Sequence, residues 1–82
     1  MPPSAPNALD VRPLPPPRKA ATVLATFDRL DAGESFVLVD DRDPDAVCAC
    51  LAAERPDQGR WTYLRDGPYV WHVRIERHRA SG

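Results

Sequence analysis

Leu9-Asp10-Val11-Arg12-Pro13-Leu14-Pro15-Pro16-Pro17-Arg18-Lys19 is the stretch from which the fold is read. Leu9 to Arg12 has the composition of a short strand. The prolines lead into a run with Ala20, Val23, Leu24, Phe27 and Leu30 at spacings of three and four, the period of an amphipathic helix. Pro17 suits a first helical turn, because its missing N–H would have no intrahelical partner there. Asp31-Ala32-Gly33 supplies the stop, since Gly33 can take the left-handed conformation that closes a helix. A strand followed by a helix over about Pro17 to Leu30 sets the chain on a β–α alternation.

Working outward, Phe36-Val37-Leu38-Val39 is apolar at every position, so Ser35–Val39 reads as a strand interior to a sheet. In Asp40-Asp41-Arg42-Asp43-Pro44-Asp45, Asp43 is a natural cap, Pro44 fits the first helical position, and Asp45 favours the positive helix end. The second helix is expected over about Pro44 to Glu54, with Val47, Cys48 and Leu51 facing inward. Arg55 to Gly59 breaks it. Trp61–Leu64 is the third strand, Asp66-Gly67-Pro68 a turn, and Tyr69–Arg77 the fourth strand. That strand alternates Tyr69, Trp71, Val73, Ile75 against Val70, His72, Arg74, Glu76. The order is βαβαββ. Right-handed crossovers put both helices on one face of a four-stranded mixed sheet, an α/β chain folded as a two-layer α+β sandwich with its other face open. The expected core is Val11, Val23, Leu24, Phe27, Val37, Val39, Val47, Leu51, Trp71, Val73 and Ile75.

The chain has 82 residues, room for one domain. Residues 1–8 carry three prolines and no periodic pattern and are expected to be a disordered tail. Residues 9–78 form the domain and residues 79–82 a flexible end. About 70 residues close only a modest core, so a site is expected in a surface groove, at an element end or on the sheet face. Lys+Arg number 11 against Asp+Glu 12, a net charge of −1, which gives no general attraction to nucleic acid or anionic membrane. No apolar run reaches the ~18–20 residues of a membrane span, no basic-then-apolar leader opens the chain, and two Cys make no secreted disulfide framework. The expected location is the cytoplasm.

Arg12, Arg18 and Lys19 cluster around the first helix start, where unpaired N–H groups and the helix dipole favour an anionic ligand or an acidic partner. The same residues also suit plain solubilisation of an exposed edge. A second candidate is the open sheet face, where Thr62, Leu64, Val70, His72 and Arg74 come together if Trp61 and Tyr63 face the helices. Its stacking aromatics then point the wrong way for RNA, and contact with a protein fits better. Asp41, Asp43 and Asp45 alternate like calcium-loop ligands, but the Gly and distal Glu of such a loop are absent, and no metal is expected. Cys48 and Cys50, two apart on a helix, point in nearly opposite directions and lie away from an acidifying helix N-terminus. His72 and His78 have no partner spacing for metal or nucleophilic chemistry. No catalytic set, phosphate loop or dinucleotide fingerprint is present.

Leu9-Asp10-Val11-Arg12 with its prolines, Asp40-Asp41-Arg42-Asp43-Pro44, and Asp66-Gly67-Pro68-Tyr69-Val70-Trp71 together carry a resemblance over Leu9 to Arg77. The chain resembles the uncharacterised bacterial family known as domain of unknown function 2249, which is similar in fold to the TusA/SirA sulfur carriers. The resemblance implies strand order 1-2-4-3 with strand four antiparallel and interior. It also implies a redox setting, because relatives occur with hemerythrin-like and other redox proteins. TusA-like carriers have Cys-Pro at the start of the first helix, whereas this chain has Pro16-Pro17. The family's acidic segment often reads Asp-His-Asp-Pro, whereas here Arg42 puts a permanent cation in place of the imidazole. The expected function is that of a small non-enzymatic binding or adaptor domain for a redox or sulfur-handling protein partner. It would dock through the helix-one start or the open sheet face, with no catalytic residue and no cofactor. The alternatives are a sulfur-transfer carrier using Cys48 or Cys50, and a small-anion or metal-binding sensor.

Overall fold

The computed structural model describes residues 8–78. The expected tails at 1–8 and 79–82 lie outside that range, except for Ala8, which opens the first strand. The elements are β1 (Ala8–Asp10), α1 (Pro16–Asp28), β2 (Ser35–Asp40), α2 (Asp45–Glu54), β3 (Gly59–Asp66) and β4 (Trp71–Arg77). They form one four-stranded sheet in the order β1-β2-β4-β3. β1 runs parallel to β2, and β4 is antiparallel to both β2 and β3. The expected element order, mixed sheet and interior β4 are all present.

Prolines start α1 as anticipated. Pro15 is extended (φ −66°, ψ 152°), Pro16 and Pro17 occupy the first helical positions, and the Arg18 and Lys19 N–H groups donate to the Pro15 carbonyl. At the far end, the Arg29 and Leu30 N–H groups donate to the Thr26 and Phe27 carbonyls. Gly33 takes φ 87°, and its N–H donates to the Arg77 carbonyl at 2.8 Å, tying the turn into β2 to the end of β4.

The core lies between the helices and one sheet face: Val11, Val23, Phe27, Leu30, Phe36, Leu38, Val47, Cys48, Leu51, Val73 and Ile75. Val37 and Val39 are not part of it, contrary to the sequence reading. Register pairs Phe36 with Ile75 and Leu38 with Val73, so Phe36 and Leu38 face the helices, and the two valines lie half-buried on the open face. With both alternations apolar, the pattern of β2 alone cannot choose between its faces. Leu24 packs at the core margin. Trp71 shares the helix-side face and is only partly buried, because it lies at the sheet end beside the β3–β4 turn. There Gly67 has φ +72°, and a Cβ on it would come within 2.8 Å of the Trp71 indole. Glycine satisfies both constraints at once.

β3 is longer than Trp61–Leu64 and is bulged. Tyr63 pairs with Val73 and Arg65 with His72, which leaves Leu64 as the extra residue, 50 % exposed. Tyr69, expected at the head of β4, lies in the turn and is 86 % exposed. α2 begins one residue later than expected. Pro44 is the capping position and Asp43 makes no cap hydrogen bond. Its carboxylate instead accepts the Tyr63 hydroxyl at 2.6 Å, a tie from the loop to β3. Among the described residues no helix is long and apolar enough to cross a membrane.

Candidate functional site

Two places in this fold have the geometry of a site: the cleft beside the start of α1, and the open face of the sheet. In the cleft, Lys19 lies one helical turn before Val23 and two before Phe27, so it belongs to the buried stripe of α1. Asp40 follows Phe36 and Leu38 at the same parity of β2 and so faces inward too. The two meet, Lys19 Nζ donating to Asp40 Oδ1 at 2.8 Å with side-chain exposures of 8 % and 3 %. The ammonium also reaches Asp41 Oδ1 at 3.3 Å. The Asp41 N–H donates to Asp40 Oδ1 at 2.8 Å. The hydrogen bond to Asp40 raises the Lys19 pKa against the opposing effect of burial. The same ammonium lowers that of Asp41.

The expected basic edge is therefore redistributed. Lys19 is not on the surface; its charge is spent inside the fold. Arg12 is exposed but clamped on Asp10, Nε and Nη2 donating to the carboxylate at 2.9 and 2.6 Å and the backbone N–H at 3.0 Å. These bonds hold the Asp10 carboxyl down at about 2. Arg18 is exposed without a side-chain partner among the described residues. Of the three, only Arg18 offers an uncompensated charge.

Pro16, Lys19 and Ala20 of α1 face Arg42, Asp43, Pro44, Ala46 and Val47 across a cleft of about 230 Å³, with Asp40 at its floor. Neither cysteine lines it. Cys48 is buried, and burial, reinforced by the Asp43 and Asp45 charges, pushes its thiol up to about 11. A thiol held there is protonated at neutral pH and is a poor nucleophile. Cys50 is partly exposed. We predict that iodoacetamide at pH 7.5 alkylates Cys50 and leaves Cys48 untouched until denaturant is added. Mass spectrometry of the folded protein checks this, and rapid modification of Cys48 would contradict it.

The open face is fixed by register. Across it, Ser35, Glu76 and Arg60 form one row, Ala8, Val37, Arg74 and Thr62 the next, and Asp10, Val39, His72 and Arg65 the third. Arg60 pairs with Glu76 at 3.4 Å. Arg65 and Arg74 are exposed, with no carboxylate partner among the described residues. His72 is half-buried between them. His72 and Arg74 were expected on this face. Arg65 was not, because the bulge at Leu64, invisible in the pattern, turns it outward. His78 is exposed at the end of the described chain. Asp40 was also missed, although its parity with Phe36 and Leu38, and the four-residue spacing of Lys19, Val23 and Phe27, were both available as signals.

The sequence pattern of the family described as "Uncharacterized conserved protein (DUF2249)" matches residues 8–77, which is β1 through β4. The chain belongs to this family. No curated protein and no solved structure matches it. The family match covers the cleft and the open face alike.

Proposed function

We propose that this DUF2249 protein is a non-enzymatic docking domain whose open sheet face receives an acidic patch on a protein partner. One observation carries the reading: Arg65 and Arg74 stand unpaired on the one uncovered face, next to half-buried Val37 and Val39. Arg12, Lys19 and Arg55 are instead paired, with Asp10, Asp40 and Asp28, while Arg18 stands free at the helix-one start but without apolar neighbours on a sheet face. Unneutralised arginines flanking apolar residues suit an interface with an acidic rim, where arginine is enriched. No Phe, Tyr or Trp lies on that face for bases to stack on, which disfavours single-stranded nucleic acid. Two further parts of the reading come from the sequence: a redox or sulfur-handling partner, which rests on the resemblance to TusA-type carriers, and a cytoplasmic setting, which rests on the composition with its two Cys. Pro16 at the junction and the unreactive Cys48 favour docking over sulfur transfer.

The test is the affinity of a partner cross-linked in the native cell and then purified. Arg65→Glu with Arg74→Glu should weaken binding by about tenfold or more, since like-charge juxtaposition across an interface is costly. The melting temperature should hardly move, because both side chains are exposed. Binding should also weaken with salt. If Arg18→Glu abolishes binding while the double reversal leaves it intact, the site is the helix-one start and the sheet-face reading fails.

A further inference from the structure

We infer that the cleft between α1 and the start of α2 is a second binding site, for a neutral ligand that carries a primary carboxamide on a small apolar body. The residues lining it are those described above, and their chemistry restricts the ligand. Two cations, Lys19 and Arg42, oppose two carboxylates, Asp40 and Asp43. With the lining charges balanced, the cleft has no net preference for an anion or a cation. The walls supplied by Pro16, Ala20, Pro44, Ala46 and Val47 are apolar. A concave apolar lining with a few convergent polar groups is the usual form of a small-molecule site.

The floor carries the specificity. Asp40 is buried, and its two hydrogen bonds, from Lys19 Nζ and the Asp41 N–H, both fall on Oδ1. Oδ2 receives no donor from the described residues. It is not a fully enclosed atom, and Asp40 lines the cleft. Lys19 Nζ has three N–H groups and uses two of them, on Asp40 and Asp41. The floor therefore offers an acceptor oxygen that no described donor reaches, next to an ammonium with one N–H to give. A primary carboxamide answers both from one planar group, its N–H donating to Asp40 Oδ2 and its carbonyl accepting from Lys19. Burying an ion pair rarely adds stability over apolar packing of equal volume. A binding role gives this pair a reason to lie at the floor of a cleft.

Benzamide is the probe, with acetophenone as the shape-matched ketone that lacks the donor, and benzoate as the charged analogue. Amide chemical shifts of the full-length protein are followed during titration at about millimolar ligand. Benzamide should give saturable shifts at Lys19, Ala20, Ala46 and Val47, while acetophenone and benzoate bind at least about tenfold more weakly, the loss expected when the ligand covers an acceptor and leaves it unpaired or faces it with like charge. Ala46→Leu, an exposed helical position, should fill the cleft and abolish the shifts without disturbing the ion pair. Asp40→Asn, if it folds, should bring acetophenone level with benzamide by removing the demand for a donor. Three results would overturn the inference: no saturable benzamide shift in the cleft, equal binding of all three probes, or benzamide shifts that survive Ala46→Leu.

Discussion

Lys19→Ala is expected to remove about a third or more of the domain's stability. The substitution leaves the Asp40 carboxylate buried with only the Asp41 N–H as partner. Breaking a buried pair by deleting one member costs about 3–5 kcal/mol, because a charge remains without compensation. A domain of this size has about 4–10 kcal/mol in total, at roughly 0.05–0.15 kcal/mol per residue. Lys19→Met with Asp40→Leu should behave oppositely and recover most of the loss, since apolar side chains of similar volume need no partner. Urea denaturation of the wild type and the two variants checks this, and a loss below about 1 kcal/mol for Lys19→Ala would contradict it. The ion pair also predicts a pH dependence. The Lys19 pKa is raised above its ordinary value of 10.5. Its contribution is therefore complete below that value and is lost as pH rises through the folded one. The Asp41 pKa is lowered from 3.8, so its smaller contribution is complete above that value and fades as the solution becomes more acidic. Stability should be level around neutrality and fall at strongly alkaline pH. In the double variant the alkaline fall should shrink.

Much of this architecture is legible in the sequence because different local signals agree. The prolines before Arg18, the three-and-four spacing to Leu30, Gly33, and the alternation from Trp71 to Ile75 each point to the same βαβαββ order. What was not legible depends on contacts distant in the chain. Nothing within Phe36-Val37-Leu38-Val39 says which alternation faces inward. That is decided by pairing with Val73 and Ile75 and by the demand of Lys19 for Asp40. Position in the chain groups Lys19 with Arg12 and Arg18 on a basic edge around the helix start, yet its ammonium is buried. Its partner lies 21 residues away, across a crossover. Asp43 was read as a helix cap on local grammar, yet Tyr63, 20 residues on, claims its carboxylate. The candidate sites moved accordingly. The helix-one start holds an ion-paired cleft with Arg18 alone left free, and a bulge that no periodicity marks adds Arg65 to Arg74 on the sheet face.

Phe27 and Gly59 are expected to show strong coupling, and the cost of each substitution depends on the other. Phe27 is fully buried on α1, and Gly59 opens β3 beneath it. A Cβ built on Gly59 would lie 2.7 Å from Phe27 Cε1 and 2.9 Å from Cζ, closer than carbon atoms approach one another. The ring cannot swing aside, because the core encloses it and the Arg77 guanidinium covers it at 5.6 Å from the centroid. Arg77 is itself held, donating to the Leu30 carbonyl at 2.9 Å. Gly59→Ala should therefore cost about 1–3 kcal/mol as overpacking. Phe27→Ala should cost about 3–5 kcal/mol, combining lost apolar burial with the cavity left behind. Phe27→Leu gives a milder member of the series if the alanine variant does not fold. In the double variant the new methyl enters space the ring has vacated, so the losses should fall short of their sum by about 0.5–3 kcal/mol, the range for residues in contact. The Glu76 carbonyl, 3.1 Å from the same Cβ, sets a remainder that no change at residue 27 removes. Denaturant midpoints for the wild type, both single variants and the double variant decide the matter. Additivity within about 0.3–0.5 kcal/mol would mean that Gly59 is required by the β4 backbone and not by the aromatic ring that α1 sets over it.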